Sequence, residues 1–174
     1  HAGLPSLDFE AARRAPFALG YYQAAHSLAV TLDTGITTIR DAGGASLGVK
    51  QAVEDGLIRG PRMLLSLVML SQTGGHGDGW LPSGDEDHLF AREPGLPSNI
   101  VDGPDEMRRK VRELVRAGAD CIKVATSGGV LSPRDDPRHA HFRPDELNVL
   151  VAEATAAGIH VMAHAQATQG IANA

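Results

Sequence analysis

Apolar and polar positions along the chain alternate between two periods. Phe17, Tyr21, Ala24, Ala25, Leu28 and Leu32 recur every three or four residues, which predicts a helix over 17–33. Gly35 closes it, as glycine does after a helix C-terminus. Ile36 to Asp41 is short and β-branched and reads as a strand. After the Gly43-Gly44 turn a second helix spans 46–55 and stops at Gly56. Gly60-Pro61 punctuates the chain, and the almost wholly apolar run 62–68 reads as a second strand. A charged amphipathic stretch over 105–117 carries Met107, Val111, Leu114 and Val115 on one side. Gly118 ends it, and a third strand covers 121–126. Pro144 opens a helix over 144–157, with Asp145 and Glu146 in the first turn, where the helix dipole favours acids. Gly158 stops that helix, a fourth strand covers 159–163, and 168–174 begins another helix.

Near-continuous apolar strands alternating with helices predict an α/β fold, a parallel sheet covered on both faces. Its two solutions are an open doubly wound sheet and a closed (β/α)8 TIM-type barrel. A barrel usually needs about 250 residues. The chain has 174 residues and four visible strands, so on the barrel reading it is roughly half of one. Two stretches, 70–103 and 127–143, break the periodicity, and loops this long in a compact domain are usually functional.

Composition narrows the classes. Sixteen Lys and Arg against 21 Asp and Glu give a net charge of −5, the wrong sign for a general nucleic-acid binder. Runs such as Met63 to Leu70 fall far short of the roughly 20 residues of a membrane helix. A single cysteine, Cys121, cannot form an internal disulfide and fits a reducing, cytoplasmic setting.

Candidate chemistry collects where parallel strands end. Arg40-Asp41 ends the first strand, Lys123 lies in the middle of the third, and His164 follows the fourth. His76 sits in the first long loop, within Gly74-Gly75-His76-Gly77-Asp78. Lysine is almost never buried without a partner, so Lys123 must meet a carboxylate such as Asp41, lose its proton, or be chemically changed. A neutral amine can add carbon dioxide and become a carbamate able to bridge two cations. His160 and His164 are about 13 Å apart if they lie on a strand, too far to share one ion, so His160 reads as structural. His139 and His141 fall in the second loop, either as exposed polar residues or facing a substrate at the mouth. The glycines near His76 match no phosphate-binding pattern.

The runs Gly35 to Gly44, Gly60-Pro61-Arg62, Thr73 to Asp78, Ala117 to Val124, Ser127 to Val130 and His160 to Ala165 occur in this order. Together the chain resembles the amidohydrolase superfamily, most closely the imidazolonepropionase-like, metal-dependent Xaa-Pro dipeptidase (prolidase) branch. The resemblance implies a (β/α)8 barrel, of which residues 1–174 are a partial catalytic domain covering about strands two to five. The remaining strands and a flanking β-sandwich lie outside it. The resemblance also implies a metal-dependent hydrolase that cleaves amide bonds with a hydroxide held between two divalent ions, usually zinc. Lys123, as a carbamate formed with carbon dioxide, corresponds to the bridging ligand and His164 to the fifth-strand histidine. His1 corresponds to the second member of a His-x-His pair, unless it is a tag remnant. His76 corresponds to a histidine facing the substrate, a catalytic donor to the developing oxyanion, with His141 and Gln166 as further substrate contacts.

The pattern departs at four places. The first histidine of the pair, the sixth-strand histidine and the eighth-strand aspartate have no counterpart. Gln166 stands where many dipeptidase-like members carry a tyrosine. A dipeptide or other small-molecule substrate is expected, without nucleic-acid or membrane partners, and related enzymes often form homo-oligomers. An imidazolonepropionase-like cyclic-amide hydrolase, an aryl-amide hydrolase and a non-catalytic α/β binding module remain alternatives.

Overall fold

The computed structural model describes residues 14–84, 86, 94–132 and 135–174. His1 lies outside the described residues. Helix α1 (Leu19–Asp33) leads to strand β1 (Thr38–Asp41), α2 (Leu47–Glu54), β2 (Arg62–Leu65) and β3 (Met69–Leu70). Then follow α3 (Pro104–Arg116), β4 (Cys121–Ala125), α4 (Pro144–Ala156), β5 (His160–His164) and α5 (Thr168–Asn173). Every helix and strand expected from periodicity is present to within two or three residues at each end. Gly118 and Gly158, with φ of 90° and 72°, adopt the left-handed turn that ends α3 and α4.

Among the described residues, every pairing between named strands is parallel. β1 pairs with β2, and β3, β4 and β5 pair in that order. Strand neighbours therefore follow chain order with no reversal. A doubly wound sheet reverses at its switch point, and a barrel wall does not.

The expected strand over 62–68 ends three residues early, at Leu65, and a further short strand, β3, follows it at Met69–Leu70. After Leu65 the chain leaves the β1 ladder, Leu67 turns to φ 67°, and Met69 and Leu70 resume pairing beside Lys123 and Val124 of β4. The sequence gives no glycine there. Leu67 accepts the left-handed conformation because its side chain is only 2 % exposed, in the core. Asp120 bridges the break: its N–H donates to Leu65 O (2.8 Å), and its carboxylate accepts the Leu65 N–H (2.8 Å) and the Lys50 ammonium of α2 (2.8 and 2.9 Å).

The core lies between strands and helices. Met63, Leu65, Leu70, Ile122 and Val124 pack with Leu28, Met107, Val111, Leu114, Leu147 and Leu150. One carboxylate ties two helix starts together: Glu146 accepts the N–H of Arg143 (2.6 Å), which precedes α4, and of Gly103 (2.7 Å), which precedes α3. The residues alternating with Ile122 and Val124, namely Cys121, Lys123 and Ala125, turn to the opposite face. Among the described residues no helix is long and apolar enough to cross a membrane.

Candidate metal centre and histidine cluster

Register places the chemistry. Lys123 pairs with Met162 and Ala125 with His164, and paired residues in a parallel ladder project to the same side. Lys123 and His164 therefore share the inner face, two residues apart along neighbouring strands, with Cα atoms about 8 Å apart. The ammonium of Lys123 makes no ion pair or hydrogen bond among the described residues, and burial alone pushes its pKa below the ordinary lysine value. The alternative of a bridge to Asp41 does not form. Asp41 Oδ1 instead accepts the N–H groups of Gly43 (2.9 Å) and Ala45 (3.2 Å), shaping the turn after β1.

His164 Nε2 lies 3.1 Å from Gly128 O. A carbonyl only accepts, so Nε2 carries the hydrogen and the lone pair is on Nδ1. This is how an outer partner orients a metal-binding imidazole. No group of three His, Cys, Asp or Glu side chains among the described residues converges as a cation site. Lys123 and His164 fit a divalent metal only as part of a donor set: a partnerless desolvated amine beside an imidazole whose Nδ1 is free to ligate.

Two excursions meet above these strands. The first leaves β3 and returns where Ser71 pairs with Ile100. Within it the Ser71 hydroxyl accepts the Gly77 N–H (3.0 Å), and the Asn99 amide donates to Gly77 O (2.7 Å), which fixes His76 between them in sequence. The second leaves β4 and folds back on its tip: Ser127 pairs with Ala140, and the His141 N–H donates to Thr126 O (2.8 Å). Phe142 then takes φ 59°, held by its N–H bond to the Gln72 side chain (2.6 Å). A non-glycine left-handed residue of this kind persists only where its surroundings impose it.

The two excursions bring His76, Ser132, Asp135, His141 and His164 together. His76 is 8 % exposed and stacks on His164, ring centroids 4.5 Å apart at 24°. Its Nδ1 is 2.7 Å from Ser132 Oγ and 3.4 Å from Asp135 Oδ2, while Asp135 Oδ2 also accepts the Gly129 N–H (2.6 Å). Any side chain at Gly129 would occupy the space of the His76 ring. Burial, and next the neighbouring His164, push the His76 pKa below the usual histidine value, with Asp135 opposing them. His141 is also lowered, chiefly by burial.

Of the residues expected at the site, Lys123, His164, His76 and His141 come together at or below one end of β4 and β5. His139 is exposed, so the polar-loop reading holds for it, while its neighbour His141 is 4 % exposed and turns inward. Gln166 is exposed, and its backbone N–H donates to Ser127 Oγ (2.7 Å). His160 opens β5 opposite Cys121 and is exposed rather than packed in the core. Asp135 and Ser132 were not anticipated. In sequence nothing separates Asp135 from Asp136, and only the fold sends one beneath Gly129 and the other to the Arg138 guanidinium.

Parallel strands in chain order, with ionisable groups at their C-terminal ends, define one arc of an enzyme-type barrel wall. Residues 4–174 match the amidohydrolase family, and the chain belongs to it. It is 43 % identical over 148 residues to ochratoxinase of Aspergillus niger, a match spanning 80 % of this chain and 31 % of that protein. Among solved structures it resembles a prolidase complexed with N-methylphosphonate-L-proline, with TM-score 0.83 and 39 % identity over 99 % of this chain and 43 % of the other. It also resembles A. niger ochratoxinase (TM-score 0.80, 38 % identity, 97 % and 41 % covered) and a Xaa-Pro dipeptidase with bound methionine (0.76, 28 %, 92 % and 41 %). The chain thus spans less than half the length of the relatives it matches and forms part of a larger amidohydrolase TIM barrel.

Proposed function

We propose that the chain carries part of the active site of a metal-dependent hydrolase of amide bonds, most simply a dipeptidase of Xaa-Pro type. Lys123 carries the reading. An amine that is desolvated, partnerless and turned to the inner face is primed to lose its proton and take up carbon dioxide, and the carbamate so formed supplies two anionic oxygens. Lys123 in that form and His164 through Nδ1 would hold a pair of divalent ions, with zinc suited to such oxygen and nitrogen donors. Bound there, the ions supply a water nucleophile at neutral pH and polarise the scissile carbonyl.

The chain's own groups do the rest. Gly128 O holds the His164 ring, and the two loops bury His76 and His141 beside it and exclude water from that side. Likeness to a prolidase and a Xaa-Pro dipeptidase supports a dipeptide substrate. The 43 % identity to ochratoxinase favours an aryl amide as the second reading.

The test is metal analysis and hydrolysis by the full-length protein, wild type and Lys123→Ala, on a Xaa-Pro dipeptide and an aryl amide. The expected result is about two divalent ions per chain, lost together with hydrolysis in Lys123→Ala. Full hydrolysis by a metal-free Lys123→Ala protein overturns the metal-dependent reading, and a full-length protein that binds no metal and hydrolyses neither substrate leaves the binding-module reading.

A further inference from the structure

We propose that Gln72 is the positioning residue for His141: from the first excursion its side-chain oxygen holds Phe142 of the second in the left-handed conformation, and so keeps the His141 ring turned into the site. Gln72 follows Ser71, where the first excursion leaves β3. Its backbone belongs to the turn that carries His76. The Gln72 carbonyl accepts the Gly75 N–H (2.9 Å) and the Ser71 hydroxyl (3.2 Å). A Cβ at Gly75 would press on Gln72 O at 3.0 Å and Gln72 Cγ at 3.1 Å, so the turn and the base of the side chain pack as one piece.

The Gln72 amide oxygen accepts the Phe142 N–H at 2.6 Å. A backbone N–H only donates, which fixes the end of the amide that faces it. Among the described residues no backbone carbonyl takes that N–H, and Phe142 is 5 % exposed, so water is a poor substitute. With a Cβ at φ 59°, Phe142 is the point where this backbone relaxes once the acceptor is lost. His141 is the residue before it. Its N–H is anchored on Thr126 O (2.8 Å), but its Nδ1 is buried without a hydrogen bond among the described residues. The backbone on either side therefore sets the place of the ring. His139, two residues upstream, is exposed, and a relaxed turn lets His141 join it. One glutamine thus links the turn bearing His76 to the loop bearing His141. The inference rests on the proposed function for His141 as a substrate contact, but the placement of the ring does not depend on hydrolysis.

The experiment treats the full-length protein with diethylpyrocarbonate, which acylates accessible histidines, and maps the label by mass spectrometry, with hydrolysis of a Xaa-Pro dipeptide and an aryl amide followed in parallel. In the wild type His139 is labelled, and His76 and His141 are protected. Gln72→Met keeps the length of the side chain but offers no oxygen. His141 is then labelled as fast as His139 while His76 stays protected, and KM rises about tenfold with kcat nearly unchanged, as for the loss of a binding contact. Gln72→Glu, whose carboxylate accepts the same N–H, keeps the wild-type labelling and KM. A protected His141 in Gln72→Met overturns the inference, and so does a labelled His141 in Gln72→Glu. Labelling of His76 together with His141 in Gln72→Met overturns it as well, because the side chain then holds the fold rather than one ring. The expected labelling in a protein that hydrolyses neither substrate supports the inference and counts against the proposed function alone.

Discussion

Above β4 and β5, burial is the first cause that lowers the pKa of both His76 and His141. His141 Nδ1 is buried without a hydrogen bond among the described residues. Its pKa is lowered by burial first; His139 and His164 lower it further, and Asp135 partly opposes them. The folded ring thus resists the proton that the unfolded chain takes up near pH 6.5. The unfolded state binds more protons below that value, so stability is intact above it and is lost as pH falls. Thermal unfolding of the full-length protein between pH 8 and pH 5 should show a melting temperature that drops on the acid side, and His141→Asn should flatten that slope. Equal slopes in both proteins would remove His141 as the cause. At this scale the sequence was only partly legible. Lys123 and His164 stood out because a strand does not hide a charge cheaply. The inward turn of His141 and the place of Asp135 beside His76 depend on loops that close over residues far away in the chain, and no periodicity encodes such closure.

Among the elements, legibility was high. Glycines follow the first four helices, and β-branched or apolar runs fill the strands, so local signals and the observed boundaries agree. The exception is the run 62–68. It is apolar apart from Arg62 and Ser66, and nothing in its residue types announces that Leu67 will turn left-handed. The consequence falls on Asp120, whose carboxylate serves the Leu65 N–H and the Lys50 ammonium at once. The side chains of Lys50 and Asp120 are 18 % and 25 % exposed, so the pair is partly shielded from water. Asp120→Ala leaves the Leu65 N–H unpaired and Lys50 with only the Glu54 carboxylate at 3.9 Å, and should cost about 2–4 kcal/mol of unfolding free energy. Denaturant unfolding measures it, and a double-mutant cycle with Lys50→Met separates the ion pair from the backbone bond. A loss below about 0.5 kcal/mol, the scale of an exposed ion pair, would show that Asp120 does not hold the two strands together.

At the scale of the whole molecule, the chain is an arc of barrel wall whose helices cover one face and whose Lys123 and His164 lie on the other. The left-handed turn at Leu67 divides that arc into a two-stranded and a three-stranded plate, joined through the β2–β3 segment and Asp120. A wall built this way has a seam. Backbone amides of Thr38–Asp41 and Arg62–Leu65 should exchange with deuterium as one cooperative group, and those of Cys121–Ala125 and His160–His164 as a second, slower one. Matching rates across both plates in the full-length protein would mean that the seam is mechanically silent. Different rates would mean that one part of the wall can open while the strands bearing Lys123 and His164 stay closed.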